Sequence, residues 1–274
     1  MPIRRRPCGR VASAFLLCIE ILKSSATMHQ LFSHPLLRPL RVAYSVRKHP
    51  AGDLLYSLFK GQDMVVFDVG AHTGEATEKY RNWFPKAEFH LFEADPEVAA
   101  MCSKRTKSWK NVQLHSFACG AENAIAAFYP AAHQQSTTGS IHAGASGSLL
   151  KPTGIQEHFP EIKFKDTIDV QVKRLDEWMQ AHFVPAPKFI HMDVQGAELL
   201  VLRGLGSRIH QVEAIWLEVE RKELYENQPL EDDVMQFFVE LGWTKAADTV
   251  GAVYGDQLWL SPKAYERGKS MRLC

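Results

Sequence analysis

The chain has 274 residues, 46% of them hydrophobic and 23% charged. That is enough apolar side chain for a real core, in one large domain or two small ones, and it excludes a chain too polar to fold. The net charge of +1 hides an asymmetry: residues 1–50 carry nine Lys/Arg and one acid, Glu20, so the remainder stands near −7 and duplex nucleic acid is not an expected partner for it.

Five cysteines (Cys8, Cys18, Cys102, Cys119, Cys274) are scattered with no CxxC pair. This argues against a disulfide framework or structural zinc and for a reducing compartment, so we expect a cytoplasmic protein. At the N-terminus, "RRRPCGR" precedes "VASAFLLCI", the order of a signal peptide. The apolar run is only nine residues before Glu20, too short to span a bilayer, and no cleavage site follows. We expect residues 1–50 to be a basic leader, poorly ordered or helical. A start at Met28 and peripheral membrane contact through the leader are the other readings. Residues 51–274 are expected to form one domain.

From residue 63 strands and helices alternate. "DMVVFDVG" reads as a buried strand. Residues 75–84 follow as a helix with Ala76, Tyr80, Trp83 and Phe84 on one face, stopped by Pro85. "AEFHLFEA" (87–94) is a second strand, 96–106 a helix opened by Pro96, and "NVQLHSFACG" (111–120) a third strand. Three such units predict a parallel sheet with helices on both faces, a doubly wound α/β domain. Residues 131–154 are rich in Ser, Thr and Gly and hold no acid, so a long loop is expected at about 131–166. Then "TIDVQVKRL" (167–175) reads as a half-buried strand with a helix from Asp176, braced by Arg174. "KFIHMDVQG" (188–196) and "VEAIWLEVE" (212–220) read as core strands, and 197–203 and 231–241 as helices closed by Gly204 and Gly242. "WTKAADTV" and "DQLWLSP" form a terminal antiparallel pair.

The first strand-to-helix turn is the expected ligand site, because ligands of such sheets bind at the carboxyl ends of the strands. Gly70 and Gly74 let backbone approach a ligand, and the following helix turns its free N–H groups toward it. Glu93, 23 residues after Gly70, suits the two hydroxyls of a ribose. The dinucleotide pattern G-x-G-x-x-G is not met, since His72 replaces the middle glycine. Asp68 before the turn would repel phosphate but suits an amine or sulfonium. The residues therefore fit S-adenosylmethionine better than a nicotinamide cofactor. A nicotinamide-dependent oxidoreductase and a catalytically silent cofactor-binding scaffold are the rival readings.

The segments "FDVGAHTGEAT", "FEADP", "SGSLLKP", "VKRLDEW", "IHMDVQGAELLVLRG" and "IWLEVE" occur in order. Together they resemble the FkbM family of S-adenosylmethionine-dependent methyltransferases over about residues 64–261. The "FEADP" form departs from the family's usual "FEP" but keeps the acid. The resemblance implies a Rossmann-like methyltransferase fold with a seven-stranded, mostly parallel sheet of order 3-2-1-4-5-7-6, and O-methylation of a hydroxyl on a sugar, lipid, glycan or secondary metabolite.

The candidate cofactor residues are Asp68, Gly70, Ala71, Gly74 and Glu93, with Ala118 and Cys119 facing the adenine. Asp193 closes the fourth core strand, where a carboxylate could take the acceptor's proton, and His72 on the glycine turn is a second candidate base. Gln195, Ser148 and Glu218 are candidate substrate contacts. Asp193 and Glu218 together could share a divalent cation, which is not expected to be required, because a sulfonium donor is already activated. Glu198 in a helix's first turn is explained equally by the dipole. His191 reads as a packed core residue. The loop carrying Ser146 and Ser148 is expected to fold over cofactor and acceptor, with a surface insertion as the other reading.

Overall fold

The computed structural model describes residues 38–132 and 145–271. The chain divides into two units, residues 1–48 and 49–274. Of the first, one helix is described, α1 (Arg38–Lys48), with Arg47 and Lys48 in its last turn, where cations complement the dipole. Residues 1–37 of the expected leader lie outside the described residues, and His49 and Pro50 fall in the second unit.

The second unit is built on a seven-stranded sheet. In chain order its elements are α2 (Gly52–Phe59), β1 (Val65–Val69), α3 (Glu75–Trp83), β2 (Glu88–Phe92), α4 (Pro96–Thr106) and β3 (Val112–His115). There follow β4 (Ala118–Cys119), β5 (Ala124–Phe128), α5 (Ile155–His158), β6 (Ile168–Lys173), α6 (Leu175–His182) and β7 (Phe189–Met192). The chain closes with α7 (Glu198–Gly204), a 3-10 turn (Gly206–Gln211), β8 (Ala214–Glu220), α8 (Glu231–Glu240), β9 (Thr244–Asp248), β10 (Tyr254–Leu260) and α9 (Pro262–Ser270). The large sheet runs β3-β2-β1-β7-β8-β10-β9. Counted within that sheet alone, this is 3-2-1-4-5-7-6, with only β10 antiparallel to its neighbours.

Strand alternation gives the sheet two unlike faces. Val65, Phe67 and Val69, with Ile190, Met192, Ile215, Leu217 and Val219, enter one apolar core under α6 to α8. The opposite face carries Asp68, Phe189, His191, Trp216 and Glu218. Its lower half is sealed by aromatics: Tyr80 of α3 sits 4.9 Å from Phe189, Phe59 of α2 sits 6.2 Å from Phe189, and His49 sits 4.6 Å from Trp216. Its upper half, at the strand carboxyl ends, is left to the ionisable residues.

The expected third strand is two. Glu93 N–H to His115 O closes the β2–β3 pairing, after which the chain turns at Ser116–Phe117. Ala118 and Cys119 then join a separate small sheet, β4-β6-β5, pairing with Val172 and Lys173. β5 has no strand signal in "AIAAF", whose alanines have low β propensity, and β6 recruits it by antiparallel pairing. Neither α2 nor α9 was anticipated.

The described part of the long loop is not structureless. Leu224 O accepts from the N–H groups of Thr153, Gly154 and Ile155, and Tyr129 and Ser148 exchange backbone bonds. Residues 133–144, the middle of the expected lid, lie outside the described residues.

Candidate active site

The turn after β1 is shaped by close backbone contact. Gly70 (φ 77°) packs so tightly on the strand-end of β7 that a Cβ there would sit 1.8 Å from Asp193 O. Its N–H and that of Ala71 both reach Phe92 O at 3.0 Å. Gly74 (φ 89°) caps α3, and a Cβ there would meet only side chains, Thr106 Cγ2 first at 3.3 Å.

Beside this turn lies a cavity of about 280 Å³. Its apolar lining includes Phe92, Phe117, Ala118, Cys119 and Leu149. Glu93, Ala94, Gly70, His191 and Asp193 line it too and bring its ionisable groups. Of the cofactor residues expected from sequence, Gly70, Ala71, Glu93, Ala118 and Cys119 line this cavity. Asp68 and Gly74 do not; they set the shape of the turn.

The Glu93 carboxylate is held by two backbone donors, His72 N–H at 2.8 Å and Asp95 N–H at 2.9 Å. Burial nevertheless raises its pKa to about 7, against those hydrogen bonds. Each oxygen keeps a lone pair for a further donor. Cys119 is buried and its thiol is pushed well up by burial, so it acts as a small apolar wall.

Asp68 is 1% exposed, and both its oxygens are engaged within the protein. One accepts from the N–H and hydroxyl of Thr77, tying β1 to α3. The other lies 2.9 Å from His191 Nδ1. Burial alone would lower the pKa of His191, but the hydrogen bond and charge of Asp68, with Asp193 beyond, raise it net. His191 is therefore a cavity wall oriented by a buried acid, more than the packed core histidine of the sequence reading. His72, at φ 49°, also lines the cavity and stands 3.5 Å from Glu75 Oε2. Arg105 clamps Glu75 and Glu78 at 2.5 and 2.6 Å.

Past β7 the chain reverses through Gln195 (φ 55°) and Gly196 (φ 90°). This brings together three of the expected residues. Gln195 Nε2 donates to Asp193 Oδ1 at 2.7 Å and to Glu218 Oε2 at 2.6 Å. Ser148, expected at the substrate, is instead buried at 1% exposure, its hydroxyl donating to Gln195 O at 2.7 Å. Glu198 is buried and accepts from Val194 N–H at 2.9 Å, so it caps the same reversal.

Sequence reading missed the partners of this group. Tyr225, wholly buried after β8, turns its single hydroxyl proton toward two acceptors, Gln195 Oε1 at 3.1 Å and Ser146 O at 3.0 Å. Glu220 shares the face of Glu218 by strand alternation, a signal that was available. Asp256 pairs opposite Glu218 only through the β8–β10 register, which no local pattern discloses. Burial, then the mutual repulsion of these acids, raises Glu218 well above the ordinary range, Glu220 to about 9 and Glu198 to about 7. The cluster therefore holds protons at neutral pH. Among the described residues, no group of three or more His, Cys, Asp or Glu side chains has the arrangement of a metal site.

The fold, the glycine turn and the acid just after β2 define a class, the nucleoside-binding methyltransferases of doubly wound topology. The Methyltransferase FkbM domain matches residues 68–244, more than half of the chain, and the chain belongs to that family. It is a methyltransferase that uses S-adenosylmethionine, which decides against the nicotinamide reading. It is 29% identical over 174 residues to the 2-O-methyltransferase NoeI of Sinorhizobium fredii, covering 64% of this chain and 70% of that protein. It is also 29% identical over 153 residues to Methyltransferase 1 of Beauveria bassiana, covering 52% of this chain and 59% of that one. Among solved structures, Aeropyrum pernix fibrillarin with S-adenosyl-L-methionine superposes at a TM-score of 0.42 and 9% identity, over 74% of this chain and 68% of that one. Among the described residues no helix is long and apolar enough to cross a membrane.

Proposed function

We propose that the enzyme methylates a hydroxyl of a small molecule or glycan, such as a sugar, and that Asp193 receives the proton. The observation that carries this is the seating of Asp193: its backbone abuts Gly70, and it lines the cavity together with Glu93 and His191. S-adenosylmethionine supplies a methyl group already activated on a sulfonium. Ala118, Cys119 and the neighbouring aromatics would hold its adenine. The free lone pairs of Glu93 would take the ribose hydroxyls, and Gly70 and Ala71 would border the amino-acid end, on the turn that Asp68 stabilises. With that alignment, the chain's further task is to orient an acceptor oxygen and accept its proton. Asp193, which lines the cavity and is held by Gln195, would accept that proton, and Glu218, outside the lining but joined to Asp193 through Gln195, would assist from behind it. His72 is the second basic group near this path. The kinship to a 2-O-methyltransferase supports oxygen as the acceptor atom.

The test is transfer of tritiated methyl from S-adenosylmethionine to a panel of methyl glycosides, beside amine and thiol compounds of similar size. Label in an ether linkage, lost in Asp193→Asn, is expected. Label confined to amines or thiols would overturn the reading.

A further inference from the structure

The two acceptor-side carboxylates present a puzzle. Asp193 and Glu218 end adjacent parallel strands and are close enough to share one hydrogen-bond donor atom, Gln195 Nε2, at 2.7 and 2.6 Å. Two like charges so placed repel, and burial sharpens the repulsion. A retained proton is one relief for such a pair, and a divalent cation, which binds hard oxygen ligands, is another. Here the position between the oxygens belongs to a neutral amide.

That amide is fixed from every side. Both its N–H groups are spent on the carboxylates, and its oxygen accepts from Tyr225. The two carboxylates set which way round the amide stands, since only its NH2 end can donate to them, and Tyr225 closes the oxygen end. The backbone supports the same placement at a cost in strain: Gln195 takes a left-handed φ of 55°, unusual for a residue with a long side chain. Ser148 holds its carbonyl, and Gly196 at φ 90° completes the reversal. A residue that served only to turn the chain would not need its side chain ordered at three points.

We propose that Gln195, with Tyr225 closing its oxygen end, is a neutral brace standing in the place of a bridging cation, so that Asp193 and Glu218 are held together without metal. Gln195 and Tyr225 are positioning residues in this account, acting through Asp193 and Glu218. The inference rests on the acceptor-side reading of these two carboxylates. Its test needs no acceptor, so failure to methylate glycosides and failure of the brace are separate results.

The test is Mn2+ binding to the full chain, followed by electron paramagnetic resonance, with S-adenosylhomocysteine calorimetry on each variant as the folding control. Wild type is expected to show no Mn2+ site that Asp193→Asn removes. Gln195→Glu, which replaces two N–H donors by a third carboxylate, is expected to bind Mn2+ at least about tenfold more tightly, and Asp193→Asn in that background should cancel the gain. Tyr225→Phe, which opens the oxygen end of the amide, should give a smaller gain of the same kind, and serves if Gln195→Glu does not fold. A wild-type Mn2+ site lost in Asp193→Asn would overturn the proposal. So would no gain in a folded Gln195→Glu, or in Tyr225→Phe where it must serve instead.

Discussion

Asp68 Oδ1 lies 2.9 Å from Nδ1 of His191, across the β1–β7 pairing that sets the two residues side by side. A buried acid thus fixes the ring of a cavity-lining histidine. Because the His191 pKa is raised in the folded chain, the pair's ionic contribution is fully present below the unfolded histidine value of about 6.5 and is lost as pH rises through the folded value. Asp68→Asn should therefore cost stability at every pH, on the order of 2–3 kcal/mol, and more at pH 6 than at pH 8.5. Urea unfolding at the two pH values measures this. An equal loss at both would show that the histidine carries no charge in the pair.

Glu93 gives a second pH signature. Its pKa, raised by burial to about 7, means the unliganded protein gains stability from the protonated form below the ordinary glutamate range and loses it as pH climbs through 7. Ribose hydroxyls need the ionised form as acceptor. S-adenosylhomocysteine should then bind roughly tenfold more weakly at pH 6 than at pH 8, and Glu93→Gln should flatten that dependence. Calorimetry across this range decides; a pH-independent wild-type affinity would contradict the assignment.

The two glycines of the turn should differ sharply. Gly70→Ala drives a methyl group into the Asp193 carbonyl, and no side-chain motion can relieve a clash with backbone. Loss of folding or of all cofactor binding is expected. Gly74→Ala meets side chains alone, Thr106 at 3.3 Å and Cys102 and Trp109 at 3.6 Å, and should cost about 1–2 kcal/mol for its left-handed backbone. Thermal unfolding of the two variants provides the comparison, and similar losses would refute the contact at Gly70.

Phe183 closes α6 at φ 55° with its ring 93% exposed. It pays strain for no burial. Phe183→Gly should stabilise by about 1 kcal/mol, read as a rise in Tm. A fall would mean that the ring has a partner.

What the sequence disclosed follows from the range over which each signal acts. Buried apolar runs, Pro96 at a helix start and Gly70 before a helix are local, so the parallel core and its cofactor turn were readable. Asp193 and Glu218 were readable as strand ends on one face. The break at Ser116–Phe117 was not, because leaving the sheet depends on which strand Ala118 meets, and that partner, Val172, is remote in sequence. Tyr225 and Asp256 were hidden for the same reason: each joins the site through tertiary register. Gln195 was visible as a candidate substrate contact, but its bracing contacts require the left-handed turn, which no glycine marks at that position.

The central claim is that this cavity holds the nucleoside of S-adenosylmethionine on Glu93. The most direct measurement is calorimetric binding of S-adenosylhomocysteine to wild type and to Glu93→Ala. Loss of the hydrogen bonds to a charged acceptor should cost a few kcal/mol, so the account predicts clear wild-type binding that falls about tenfold or more in the variant. Absence of binding to folded wild type, or equal binding by both proteins, would contradict it.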